Sequence, residues 1–240
     1  MKIVISYIGI GFLSLFANSL TSQTTLDYKN RIHSEISDEF MVVSQNHHAT
    51  EVGYEILEQG GNAIDAAVAM GFALAVTLPR AGNLGGGGFM LIYDAKTNKI
   101  SSIDYRSAAP KSATSQMYLT DTGVVRFGHL VNAVPGTVAG LIKAHREHGL
   151  LKLSQVMKPS IKLAQKGIKV SHDLNFVLNF GKQSMLENPV SKAKFYDGED
   201  PLKINSLFKQ PKLAKTLKLI SNKGGEVFYK GQIAKWISED

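Results

Sequence analysis

The 240-residue sequence contains no cysteine at all. A catalytic thiol, an iron–sulfur cluster and a Cys-ligated zinc site are therefore excluded. A chain of this length can fold on its hydrophobic core alone, so the absence of disulfides says little about where it works. There is no Gly-x-Ser-x-Gly elbow, and a serine hydrolase of that class would have no nucleophile here. His-Glu-x-x-His is missing too. The close histidine pairs His47-His48 and His145-x-x-His148 have no carboxylate cluster at metal spacing beside them, so they read as surface or core histidines and no metal or cofactor is expected. No Gly-Lys-Ser/Thr, internal repeat, heptad array or low-complexity tract occurs.

Charge of one sign is also not concentrated. The net charge is +7, which would suit an anionic partner if the cations formed a patch. Residues 1–140 carry 9 Lys+Arg against 11 Asp+Glu, and the excess falls on residues 141–240 with 18 against 9. Those lysines come singly at helical spacing, as at Lys158, Lys162, Lys166 and Lys169. They read as solvated helix faces, and no basic block interleaved with stacking aromatics marks a nucleic-acid site.

What is present begins with an ordinary globular balance of 44% hydrophobic and 20% charged residues. Met1-Lys2 and the apolar, uncharged Ile3–Ala17 form a short positive start and a 15-residue apolar run. That run is short for a membrane span. Ala17-Asn18-Ser19 matches a small-x-small cleavage site, so residues 1–19 read as an export signal and the mature protein as periplasmic or secreted, without stable membrane insertion. An uncleaved anchor is the alternative. A polar stretch, 20–39, follows, and residues 40–240 read as the folded portion.

Within that portion Phe40–Ser44 is expected to be a short buried strand. Helices are expected over Ala49–Gln59, ending at Gly60-Gly61, and over Ala63–Val76, capped by Asn62 with Asp65 three residues on and apolar nearly all round. Pro79 closes the second. After the glycine run come two strands, Phe89–Asp94 and Ile100–Tyr105, joined by Ala95–Asn98 into a hairpin. Pro135 should start a helix that Gly149 ends, and Ser154 should cap another running to about Gly167. Further helices are expected at Pro211–Asn222 and from Gln232 onward. The amphipathic run Gln232–Asp240 stops without a cap or breaker, as though cut inside an element, so the chain reads as truncated.

Two features carry chemical weight. The run Gly85-Gly86-Gly87-Gly88 follows a helix and precedes a strand, the reverse of a nucleotide cradle, which leaves a tight backbone corner or a loop lining a pocket. Arg106 ends the second hairpin strand in Asp104-Tyr105-Arg106. From there its planar fork can be aimed at a carboxylate. On position alone a surface salt bridge is equally open.

Taken together, Gly60-Gly61-Asn62-Ala63-Ile64-Asp65-Ala66-Ala67-Val68-Ala69, then Ala81-Gly82-Asn83-Leu84-Gly85-Gly86-Gly87-Gly88-Phe89-Met90, then Asp104-Tyr105-Arg106 with Ala109-Pro110, resemble in order and spacing the large-subunit signature of γ-glutamyltransferases. Val134-Pro135-Gly136-Thr137-Val138-Ala139-Gly140, Lys158-Pro159 and Phe228-Tyr229-Lys230-Gly231 extend the resemblance over residues 40–240. It implies an α+β fold of the N-terminal nucleophile hydrolase type, with two antiparallel sheets between helical layers, present here only as its large-subunit portion. It also implies a self-cleaving precursor whose second piece, the small subunit, begins with a threonine acting as nucleophile and base. Glutathione and other γ-glutamyl compounds would be donors, and amino acids, peptides or water the acceptors. Arg106 would bind the α-carboxylate of the glutamyl group.

Nothing in this sequence matches the threonine, the oxyanion-hole glycines or the groups that hold the α-amine. Catalytic residues are therefore expected outside it, and the chain by itself is expected to be inactive. Thr24-Thr25 is a weaker candidate for an exposed N-terminal nucleophile. Tyr105, where phenylalanine is common in the family, and Ser107 are mild departures. Two alternatives stay open: a related glutaryl, cephalosporin or polyglutamate-processing acylase, and a non-catalytic carboxylate-binding module.

Overall fold

The computed structural model describes residues 36–120, 123–124, 128 and 131–239. The export signal, most of the polar stretch and Thr24-Thr25 lie outside those residues. Two helices open the unit Phe40–Asp240: α1, His47–Glu58, and α2, Ala63–Thr77. The hairpin β1, Phe89–Asp94, and β2, Lys99–Asp104, comes next, followed by the short pair β3, Leu119–Thr120, and β4, Gly123–Val124. Helices α3, Thr137–His148, and α4, Leu153–Lys166, lead into a smaller assembly. It contains β5, Ile168–Lys169, α5, His172–Phe180, α6, Lys182–Glu187, α7, Pro189–Phe195, β6, Tyr196–Asp197, β7, Asp200–Pro201, and β8, Leu207–Phe208. Three helices close the chain: α8, Pro211–Lys223, α9, Glu226–Tyr229, and α10, Gln232–Glu239.

Helix α2 is the hub. Its all-round apolar sequence leaves no solvent face, and Ala66, Val68, Ala69, Phe72, Ala73 and Val76 are fully buried. It packs on α1, α3 and α4. Small residues bring α2 and α4 together closely enough for buried Ser160 Oγ to donate to Ala69 O at 3.3 Å. The start of α2 is a full capping box: Asn62 Oδ1 accepts from Ile64 and Asp65 N, and Asp65 Oδ2 accepts from Asn62 N. Asp65 does more than cap. Its buried Oδ2 also accepts from Leu150 N and Leu151 N at 3.0 and 3.3 Å, tying the turn after α3 to the start of α2.

The hairpin pairs Phe89 with Asp104 and Tyr93 with Ile100. Its inner side chains Met90, Ile92 and Ile103 join the main core. The outer face carries Phe89, Leu91, Tyr93 and Ile100, which are 66, 75, 62 and 69% exposed. The smaller assembly has its own core of Ile168, Val170, Leu174, Leu178, Tyr196 and Phe208. Lys158, Lys162 and Lys166 are exposed on the solvated face of α4, whereas Lys169, also exposed, lies past the helix end in β5. Among the described residues no helix is long and apolar enough to cross a membrane.

Three local expectations are corrected. Phe40–Ser44 is not a strand, because no neighbour among the described residues supplies a ladder; Val42 packs on the core while Met41 and Val43 stay exposed. Helix α3 begins at Thr137 rather than Pro135, with Gly136 as its N-cap. Helix α4 begins at Leu153 behind Lys152, where Gln155 Oε1 accepts from Lys152 N, so Ser154 lies inside the helix.

Candidate functional site

Four separated segments meet around the peptide that joins Tyr105 to Arg106. The hairpin ladder extends one pair past its strands: Tyr105 N donates to Gly88 O at 3.0 Å and Gly88 N to Tyr105 O at 3.2 Å. Asp104 Oδ1 accepts from Arg106 N at 2.9 Å, which explains why an aspartate stands two residues before the arginine. Beyond Arg106 a second pairing takes over, with Ala108 N donating to Val134 O and Val134 N to Ala108 O, at 3.0 and 2.7 Å. The Arg106 backbone is therefore fixed on both sides.

The first turn of α3 is pressed against this segment. A Cβ at Gly136 would overlap the Tyr105 carbonyl, and one at Gly140, a turn later, would overlap the Tyr105 ring. Only glycine leaves room at either position. The half-buried Tyr105 ring also reaches Gly88, and burial pushes its phenol above the ordinary tyrosine range. Gly86 O accepts from Gly136 N and Thr137 N at 2.7 and 3.0 Å. The glycine loop thus offers a carbonyl to a helix start, the opposite polarity from a phosphate cradle. A cavity of about 570 Å³ adjoins the loop, lined by Leu84, Gly85, Ala133, Pro135, Phe228 and Trp236 among others.

The Arg106 side chain is exposed, and its guanidinium forms no ion pair among the described residues. An unspent planar fork on a fixed backbone can offer two parallel donors to a carboxylate. The histidine pairs do not enter this site. The His47 and His48 rings meet at a tilt with centroids 3.9 Å apart, and His145 Nε2 contacts Leu151 O at 2.8 Å.

Sequence reasoning picked out Arg106 and the glycine run but missed how they are joined. Tyr229 hydroxyl accepts from Ala139 N at 3.0 Å and donates to Pro135 O at 2.8 Å, so it belongs to the same constellation. Its motif, Phe228-Tyr229-Lys230-Gly231, was visible, but no local pattern assigns a phenol to a helix start about ninety residues away.

Known proteins resemble this chain in sequence and in fold. A family model described as Gamma-glutamyltranspeptidase matches residues 49–240. The chain is 44% identical over 206 residues to the glutathione hydrolase proenzyme of Escherichia coli (strain K12), covering 83% of this chain and 35% of that protein. It is 41% identical over 211 residues to the corresponding proenzyme of Bacillus subtilis (strain 168), covering 85% of this chain and 36% of that one. The chain therefore spans little more than a third of these relatives. The crystal structure of Helicobacter pylori gamma-glutamyltranspeptidase superposes with a TM-score of 0.83 at 41% identity, covering 87% of this chain and 61% of that chain. A cephalosporin acylase from Bacillus halodurans, TM-score 0.71 at 23% identity, shares the fold alone. The architecture is thus α+β, part of the N-terminal nucleophile hydrolase fold. The chain belongs to the γ-glutamyltranspeptidase family.

Proposed function

We propose that the chain is the large-subunit portion of an exported enzyme that hydrolyses glutathione and other γ-glutamyl amides, or transfers the γ-glutamyl group to amino acids and peptides. The observation that carries this reading is the doubly paired backbone at Arg106, which leaves the guanidinium unengaged beside the glycine loop. In this reading Arg106 takes the substrate α-carboxylate through two parallel N–H donors. The γ-carbonyl would then face a threonine that the remainder of the precursor supplies. Its hydroxyl oxygen attacks the carbonyl carbon while its own α-amine takes the proton; that proton passes to the amide nitrogen, which departs as an amine when the C–N bond breaks and the acyl-enzyme forms.

The uncovered apolar face of the hairpin supports the same reading. A sheet face bearing Phe89, Leu91, Tyr93 and Ile100 is suited to burial under a second sheet, which the small subunit of the same precursor would provide. Export is proposed from the Ile3–Ala17 run and the Ala17-x-Ser19 site. The glycine-loop polarity gives no support to a nucleotide function.

The test uses the complete gene product. Assayed side by side on γ-glutamyl-p-nitroanilide and a glutaryl amide, it should turn over the first strongly and the second weakly, while the 240-residue chain alone turns over neither. Preference for the glutaryl amide would transfer the protein to the acylase class. No turnover of either by the complete product would leave only a binding role.

A further inference from the structure

Tyr229 ends helix α9, far along the sequence from Arg106, and its phenol reaches back to a different helix. The oxygen accepts from Ala139 N and donates to Pro135 O. Ala139 is the third residue of α3, whose N-cap, Gly136, has no side chain to offer the unpaired amides of the first turn. The phenol takes the place that a serine or aspartate cap would fill. The other partner at this helix start is Gly86 O, which accepts from both Gly136 N and Thr137 N. The first turn of α3 is therefore set by two groups, the glycine loop and Tyr229.

The hydroxyl itself is held in place. Its ring meets Phe228 edge-on at 5.0 Å and packs against the main core. What it fixes matters because Gly136 and Gly140 are the surface on which Tyr105 lies with no space to spare. A small shift of that turn must move the Tyr105 peptide, and the next residue along the chain is Arg106. Misplacing a substrate-holding group by an ångström or less weakens its contact sharply.

We infer that Tyr229 is a positioning residue for Arg106: its hydroxyl, rather than its ring, fixes the helix turn against which the Tyr105–Arg106 backbone is aimed. The inference rests on the proposed carboxylate role of Arg106.

The test is a double-mutant cycle in the complete, processed protein, using Tyr229→Phe, Arg106→Ala and the two combined, with γ-glutamyl-p-nitroanilide as donor. Tyr229→Phe keeps the ring and its packing. It should raise KM about fivefold, at the lower end of what the two lost neutral hydrogen bonds are worth, with kcat within about twofold. In the Arg106→Ala background the same substitution should change kcat/KM by less than about twofold. A purely structural role would lower the yield of folded protein, or kcat, equally in both backgrounds and leave KM alone. An unchanged KM in Tyr229→Phe, or the same loss with and without Arg106, overturns the inference. If the parent fails to use the donor, or if Arg106→Ala is neutral, the reading of the site itself fails and the positioning role goes with it.

Discussion

Gly140 shows how one residue can reverse an ordinary preference. It lies inside helix α3, where glycine is worse than alanine by roughly 0.5–1 kcal/mol, so helix propensity alone favours Gly140→Ala. The Tyr105 ring occupies the space that the added methyl would need. Overpacking of this kind costs about 1–3 kcal/mol, so the clash outweighs the propensity gain. Gly140→Ala should therefore lower the urea midpoint of unfolding, and a raised midpoint would mean that the ring moves aside freely. Arg106 is the opposite case. Its residue type and strand-end position were readable from the sequence, whereas its fixed backbone depends on Val134 and Gly88, which only the fold brings alongside.

At the scale of elements, the sequence was most legible where a local signal is self-sufficient. The Asn62–Asp65 cap, the apolar wheel of α2 and the hairpin turn at Ala95–Asn98 each carry their own chemistry, and each formed where expected. Helix starts that rely on tertiary partners were misjudged. Helix α3 has no side-chain cap of its own and borrows Gly86 O and the Tyr229 hydroxyl, so Pro135 looked like its beginning. The assembly between Ile168 and Phe208 uses two-residue strands and short helices, which are too brief to set up a periodic pattern.

The borrowed cap has a pH signature. Burial pushes the Tyr229 phenol upward, and the hydrogen bond from Ala139 N opposes that only in part. A phenol whose folded-state pKa lies above the unfolded value of about 10 binds its proton more tightly when folded. Its stability contribution is therefore complete below about pH 10 and is lost as pH rises through the folded-state pKa. The urea midpoint of the parent should fall above that pH, and that of Tyr229→Phe should fall less steeply, since Tyr105 remains to titrate. Parallel slopes would show that the phenol titrates no differently in the fold.

On the scale of the whole molecule, the family was legible because three motifs distant in sequence, those at Gly60–Ala69, Ala81–Met90 and Asp104–Arg106, keep their order and spacing. The structure adds the reason that the second and third belong together: the glycine loop and the start of α3 are the two walls around the Tyr105–Arg106 backbone. What covers the exposed hairpin face was not legible, since a strand's outward residues do not specify their partner. In the proposed reading, this convergence presents the Arg106 guanidinium to a carboxylate. The direct measurement is KM for γ-glutamyl-p-nitroanilide in the complete protein and in its Arg106→Lys variant, both verified as fully processed. Lysine keeps the charge but cannot offer two coplanar donors, and one lost charge-assisted hydrogen bond costs about 1.5–3 kcal/mol. KM should rise roughly 10- to 150-fold with a smaller fall in kcat, because a carboxylate clamp holds the substrate in ground and transition states alike. A KM within about twofold of the parent would be well under one lost hydrogen bond and would rule out a carboxylate clamp at Arg106.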